Sequence, residues 1–287
     1  RLRETRPAAP APSHSERAAS GANTQRRADV IVVGAGISGL AAARALTRSG
    51  ITDVHVFDLE DAAGGNSRGH VMGGMACPLG AHYLPVPGEQ TVEVAEWLDE
   101  IGLRRLHNGA AMFDERLLCH APQERLFIAG QWVDGLLPPI EALPAEQRAE
   151  TKAQYLRFHG AVAAAGRARA FSMPTARSRM TAETLALDRV TFSAWLDSEG
   201  LTAPALRWYL DYCCRDDYGA GARFVSAWAG LHYFASRHGF QAPDADVSER
   251  EGVLTWAQGN AWLADRLAAG LGDRIHLGQV ALRVHES

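Results

Sequence analysis

An α/β fold, in which a parallel sheet is interrupted by a long and mostly helical insertion, is what the 287-residue sequence predicts. Three observations carry that expectation. Val30 to Val33 is a short apolar run leading into spaced glycines and an alanine-rich segment, and Val54 to Phe57 is a second such run. From about residue 89 strand-and-helix alternation gives way to helical periodicity. From about residue 251 the alternation returns.

Residues 1–27, rich in arginine and proline and without apolar periodicity, read as a disordered or extended tail. Val30–Val33 has the unbroken apolarity of a strand buried on both faces. Gly34 then lets the chain turn off the strand, Gly36 leaves the main chain open, and Gly39 lets the next helix pack closely. That helix, about Ser38 to Ser49, aims free N–H groups and the positive end of its dipole at an anion, and Ile37, Ser38 and Gly39 are candidate cofactor contacts. Gly50 stops it. The strand Val54–Phe57 ends at Asp58 and Leu59, and Asp58 stands 19 residues after Gly39. An acidic side chain there accepts hydrogen bonds from the two hydroxyls of an adenosine ribose and repels a 2′-phosphate, so a dinucleotide other than NADP is expected.

Gly64-Gly65-Asn66-Ser67-Arg68 begins six residues after Asp58. With the fingerprint and the acid, this segment resembles the flavin-dependent amine oxidase superfamily, which includes monoamine and polyamine oxidases and the related carotenoid desaturases. The resemblance implies FAD rather than NAD, with the Gly-Gly segment lying along the pyrophosphate. The sequence departs from the family at Asn66, where many relatives carry arginine. Arg68 follows two positions later, so either side chain is a phosphate contact. Cys77 to Gly88, CPLGAHYLPVPG, resembles the family's next segment, in which Gly80 and Ala81 would approach the flavin with His82 and Tyr83 beside them. AGGNSR and LGAHYLPVP together resemble uncharacterised bacterial members.

In TVEVAEWLDEIG, Val94, Trp97, Leu98 and Ile101 share one helix face. ERLFIAGQWVDG reads as a hairpin around Ala129-Gly130. A long helix is expected from about Pro144 to Ala170, two more between Leu187 and Gly219 with a break near Gly200, and another within FVSAWAGLHYFASRHG. Residues 28–89 are therefore read as the first part of an FAD-binding domain, Rossmann-like in its parallel sheet. Residues 90–250 are read as a mostly helical substrate domain. Trp228 and His232 stand i, i+4 on one helix face. They line a substrate cavity, as the resemblance implies, or form an aromatic core stripe. Asp211, Asp216 and Asp217 beside Arg215 either attract a cationic amine or neutralise themselves at a helix end.

Residues 251–287 are read as the second part of the FAD-binding domain, truncated where the α/β pattern breaks off. Gly259 and Asn260 precede a helix marked by Trp262, Leu263 and Leu267, and Ile275–Leu277 and Val280–Val284 read as strands. The resemblance implies that Gly259 and Asn260 lie near the flavin ring and Val280 on the adenosine side. Trp256 lines the pocket or packs.

A net charge of -4 gives no footprint for nucleic acid, and no apolar run is long enough for a transmembrane helix. Adjacent Cys213 and Cys214 suit neither a relaxed disulfide nor a zinc pair, so four reduced thiols are expected. The eleven histidines show no metal spacing, and no metal is expected. Arg26-Arg27 before an apolar run imitates a twin-arginine signal, but the spaced glycines within that run mark a nucleotide turn. The compartment is left open between cytoplasm and, were an upstream signal removed, periplasm. The implied function is an FAD-dependent oxidoreductase passing hydride from a small-molecule substrate, an amine, to flavin N5, with dioxygen or another acceptor reoxidising the flavin. A desaturase or isomerase acting on an apolar polyene, and a flavin-binding module without turnover, are the alternatives.

Overall fold

The structure, a computed structural model, describes residues 26–88, 90–119, 124–167, 170–237, 239–242 and 252–285. The tail expected at 1–27 thus lies outside the described residues except for its last two. In chain order the first elements are β1 (Val30–Val33), α1 (Ile37–Arg48), β2 (Val54–Phe57), β3 (Gly69–Met72), β4 (Met75–Pro78) and β5 (Tyr83–Pro85). They are followed by α2 (Val92–Glu100), β6 (Arg104–His107), β7 (Ala110–Phe113), β8 (Leu118–Cys119), β9 (Arg125–Ile128) and β10 (Gln131–Asp134). Then come α3 (Ala145–Arg167), α4 (Ala182–Leu187), α5 (Phe192–Ser198), α6 (Pro204–Tyr218) and α7 (Ala227–Ala235). The chain closes with β11 (Val253–Thr255), α8 (Ala261–Ala269) and β12 (Ile275–His276). Among the described residues no helix is long and apolar enough to cross a membrane.

The chain divides into two units, one running up to Asn66 and resuming at Leu263, the other spanning Ser67–Trp262. In the first, β1, β2 and β12 form a parallel sheet with β2 in the centre. Val54 and Val56 of β2 and Leu40 and Ala43 of α1 are fully buried, so the helix covers one sheet face. On the other face Ile31 and Val33 of β1 are exposed. β12 holds its place by pairing with β2 and through His276, which stacks on Phe57 and shares a 2.8 Å hydrogen bond with His55.

The strand expected at Val280–Val284 does not form; residues 277–285 carry no regular structure. After β12, Gly278 takes a left-handed φ of 65°. Its N–H donates to Glu60 O at 2.9 Å, and Gln279 N–H donates to Asp58 O at 2.8 Å. Those bonds steer the chain off the sheet, and Val280, Leu282 and Val284 stand exposed.

In the second unit a core of Tyr155 and Phe158 from α3, Phe192 and Leu196 from α5, Leu206 and Leu210 from α6, and Leu231 and Phe234 from α7 holds the helices together. The starts of α5 and α7 lie side by side. Thr191 and Ser226 form a β-bridge, and each caps its own helix by accepting an N–H three residues on, from Ala194 and Ala229. Three hairpins join β3 to β4, β6 to β7 and β9 to β10 through two-residue turns, Gly73-Gly74, Asn108-Gly109 and Ala129-Gly130, with every turn residue at positive φ. Such turns match the twist of the strands they join. A further antiparallel sheet places β11 between β5 and β8, bringing together segments near residues 84, 118 and 254.

Candidate functional site

The residues singled out in the sequence fall into groups within each unit. In the first unit the turn after β1 is a laced structure. Gly34 N–H donates to Phe57 O at 2.7 Å and Gly64 N–H to Ala35 O at 2.8 Å, while Gly36 and Gly64 form a parallel bridge. The two glycine loops therefore run side by side at the C-terminal edge of the sheet. A Cβ at Gly39 would lie 1.8 Å from Gly34 O, and one at Gly65 3.2 Å from Gly36 Cα. Only hydrogen fits at Gly39.

α1 starts without a side-chain cap at Gly36 and carries no acidic residue in its first turn. The N–H groups of Ile37, Ser38 and Gly39 belong to that uncapped turn, where orphan donors and the helix dipole favour an anion. Ile37 and Ser38 are exposed. Asp58 closes the arrangement. Its Oδ2 accepts Ala35 N–H at 2.5 Å and its Oδ1 accepts Glu60 N–H at 2.8 Å. A carboxylate offers about four lone-pair sites, so each oxygen retains capacity for a further donor. Ala35 was not among the residues the sequence singled out. A buried alanine between two functional glycines has no side-chain chemistry to announce it, yet its N–H and C=O tie the turn to both neighbours.

Leu59 and Asn66 are exposed beside this turn, and Val280 follows the Gln279 tie to Asp58. The residues present suit a dinucleotide, with bare main chain and an uncapped helix start at one end and an anchored carboxylate at the other.

In the second unit Ser67 is buried and Arg68 is half-buried, with Arg68 O accepting Leu79 N–H at 3.0 Å. Ala81, His82 and Tyr83 meet the segment 256–260, and Gly80, just before them, is exposed with its carbonyl 3.3 Å from His82 Nδ1. Asn260 N–H donates to Ala81 O at 3.0 Å and Asn260 Nδ2 to Tyr83 O at 2.8 Å. Gly259, at φ 62°, presses so closely that a Cβ would lie 2.5 Å from Pro78 Cβ and 2.9 Å from Ala81 O. The rings of His82 and Tyr83 meet edge to face. Trp256 stacks flat on Trp262.

Trp228 and His232 have different neighbours. They stack on each other with centroids 4.7 Å apart, Phe171 packs on Trp228, and His232 Nε2–H donates to Ser172 O at 2.9 Å. Burial holds the His232 imidazole below its ordinary pKa. These contacts make the pair part of the aromatic core of the helical unit. Two members of the acidic cluster are held in ion pairs: Asp211 pairs with Arg215 at 3.0 Å and accepts Ala222 N–H, and Asp217 pairs with Arg237 at 2.9 Å.

Residues 32–101 match the family model of the NAD(P)-binding Rossmann-like domain. The chain is 35% identical over 117 residues to the acrylate reductase flavoprotein subunit of Shewanella woodyi, covering 40% of this chain and 21% of that protein. It is 35% identical over 114 residues to protoporphyrinogen oxidase 2 of Arabidopsis thaliana, covering 39% and 20%. Among solved structures, a putrescine oxidase with putrescine bound superposes with a TM-score of 0.61 at 24% identity, over 88% of this chain and 51% of that one. Cyclohexylamine oxidase from Brevibacterium oxydans does so with a TM-score of 0.60 at 22% identity, over 88% and 51%. The chain spans about a fifth of the length of those curated relatives and about half that of the solved oxidases. Residues 32–101 are thus similar to a NAD(P)-binding Rossmann-like domain, and the fold of the chain is similar to that of about half of the putrescine and cyclohexylamine oxidases.

Proposed function

We propose that the protein is an FAD-dependent oxidoreductase and that its substrate is a small-molecule amine. The observation that carries the cofactor assignment is the double anchoring of Asp58, whose oxygens hold Ala35 N–H and Glu60 N–H beside an uncapped helix start. Gly34, Gly36, Gly64 and Gly65 leave main chain open to a pyrophosphate. Ile37, Ser38 and Gly39 offer N–H groups to it, and Asp58 accepts the ribose hydroxyls. When bound, FAD supplies the two-electron redox chemistry. The chain's own part is to hold the nucleotide in a fixed place and present the substrate. Residues 28–89 and 251–287 are assigned to the cofactor and 90–250 to the substrate.

The amine assignment draws support from the putrescine and cyclohexylamine oxidases that share the fold. Oxidation at the carbon bearing nitrogen would yield an imine, with dioxygen or another acceptor taking the electrons. The test is the visible spectrum of the FAD-loaded protein, followed anaerobically as primary and secondary amines are added. Bleaching of the oxidised flavin band by an amine is the expected result. A band that no amine bleaches, but that a conjugated polyene does, overturns the amine assignment while leaving the cofactor in place.

A further inference from the structure

β12 is two residues long, yet the chain at its end holds the main chain of Asp58 on both sides. Asp58 N–H donates to His276 O at 3.0 Å, and Gln279 N–H donates to Asp58 O at 2.8 Å. We propose that His276 is a positioning residue for Asp58: its ring, hydrogen-bonded to His55, fixes β12 against β2 and so fixes where the Asp58 carboxylate stands toward a nucleotide. The nucleotide part of this proposal rests on the flavoprotein reading above.

The side chains form a short relay with one direction. His55 Nε2 lies 3.3 Å from Asp53 Oδ1, and an ionised carboxylate only accepts, so the ring proton of His55 sits on Nε2. Nδ1 of His55 is then bare, which makes His276 Nε2–H the donor in the 2.8 Å bond between the rings. Phe57 sets the plane of the His276 ring, stacked on it at 4.8 Å and 26°. His55 and Phe57 alternate along β2 with the buried Val54 and Val56, so the ring pair belongs to the sheet face opposite α1. Ile31 and Val33 of β1 stand exposed there, so apolar burial does little to hold β12 on that side.

A strand this short also has few ladder bonds of its own. Its register pairs Ile275 with Val56 and His276 with Phe57, and Arg274 Nε adds a 3.3 Å bond to Thr52 O just ahead of it. The ring bond therefore falls on the same residue whose carbonyl takes Asp58 N–H. A His276 that shifts carries the Asp58 main chain with it, and the carboxylate is tied in turn to Ala35 N–H and Glu60 N–H. One side-chain bond on the open face thus reaches the glycine turn through residue 58.

Two substitutions separate the donor from the ring. His276→Phe keeps a flat stack on Phe57 and removes the N–H; His276→Gln supplies an amide donor at the place of Nε2. The readouts are FAD affinity by fluorescence titration and, in the ligand-free protein, hydrogen-exchange protection of the Asp58 and Gln279 amides. His276→Phe should weaken FAD binding about threefold to tenfold, the worth of one hydrogen bond, and lower the protection of both amides. His276→Gln should restore both. His55→Leu, which removes the acceptor from the facing strand, should give the same losses, and it carries the test if His276→Phe does not fold. Unchanged FAD affinity and amide protection in His276→Phe and His55→Leu overturn the proposal, and so does His276→Gln that behaves like His276→Phe. An equal loss of protection at Leu40 N–H, which donates to Gly36 O within α1, also overturns it, since His276 would then serve only general stability. Wild-type protein that binds no FAD overturns the flavoprotein reading instead, and the Asp58 and Gln279 amides alone then decide whether His276 positions Asp58.

Discussion

Asp58 accepts Ala35 N–H at 2.5 Å and Glu60 N–H at 2.8 Å, so changing it disturbs the glycine turn as well as the group that meets a ribose. Asp58→Asn keeps the shape but points an amide NH2 at one of those two N–H donors. FAD affinity is expected to fall by about 1–3 kcal/mol, as for a lost charge-assisted hydrogen bond, measured by titrating flavin fluorescence. The cysteines divide by burial. Cys213 and Cys214 are buried in the helical core, which pushes their thiols up to about 11 and about 12, whereas Cys77 and Cys119 are half-buried. Alkylation of native protein near pH 8, read by peptide mass spectrometry, should therefore modify Cys77 and Cys119 and spare the adjacent pair until denaturant is added. The acid was legible from its spacing. Its grip on Ala35 was not, because a side chain's second partner depends on how two loops meet, and residue type carries no record of that.

Element by element, the local signals carried far. The apolar runs gave β1 and β2, the Gly34–Gly39 spacing gave the start of α1, and heptad-like spacing gave α2. The turns Gly73-Gly74 and Asn108-Gly109 are as strong a hairpin signal as Ala129-Gly130, although only the last was anticipated. Val280–Val284 shows the limit: alternation reports which side a residue would face, whereas a strand also needs a partner edge, and the bonds at Gly278 and Gln279 lead away from one. Two glycines test the packing of elements. Gly39→Ala puts a methyl group 1.8 Å from Gly34 O and should cost at least about 2 kcal/mol in urea unfolding. Gly230→Ala drives a methyl into the Phe192 ring at 2.4 Å and should loosen α7 from α5, at a cost of about 1–3 kcal/mol. Wild-type stability in either variant would show that the neighbours move aside.

For the whole molecule, composition and charge narrowed the class of protein, and the early glycines with Asp58 indicated a nucleotide. The groups around Tyr83 and Asn260 were legible only as a resemblance, since their contacts join residues 177 apart in sequence. Stability should depend on pH through His232. Burial lowers its folded-state pKa, so below about 6.5 the unfolded chain takes up a proton that the folded chain refuses. Stability contributed by the neutral ring is complete above that pH and declines as pH falls through it. His232→Gln, which keeps a donor for Ser172 O, should flatten the decline in urea midpoint between pH 7.5 and 5.5; an equal decline in both proteins would locate the acid sensitivity elsewhere.

The most direct measurement is a calorimetric titration of FAD into the purified protein, repeated with Asp58→Ala. Saturable binding at one FAD per chain, weakened about tenfold to a hundredfold by the substitution, is the result expected of a dinucleotide held by bare main chain and one anchored carboxylate. Equal affinity in both proteins, or no saturable binding to the wild type, would contradict it.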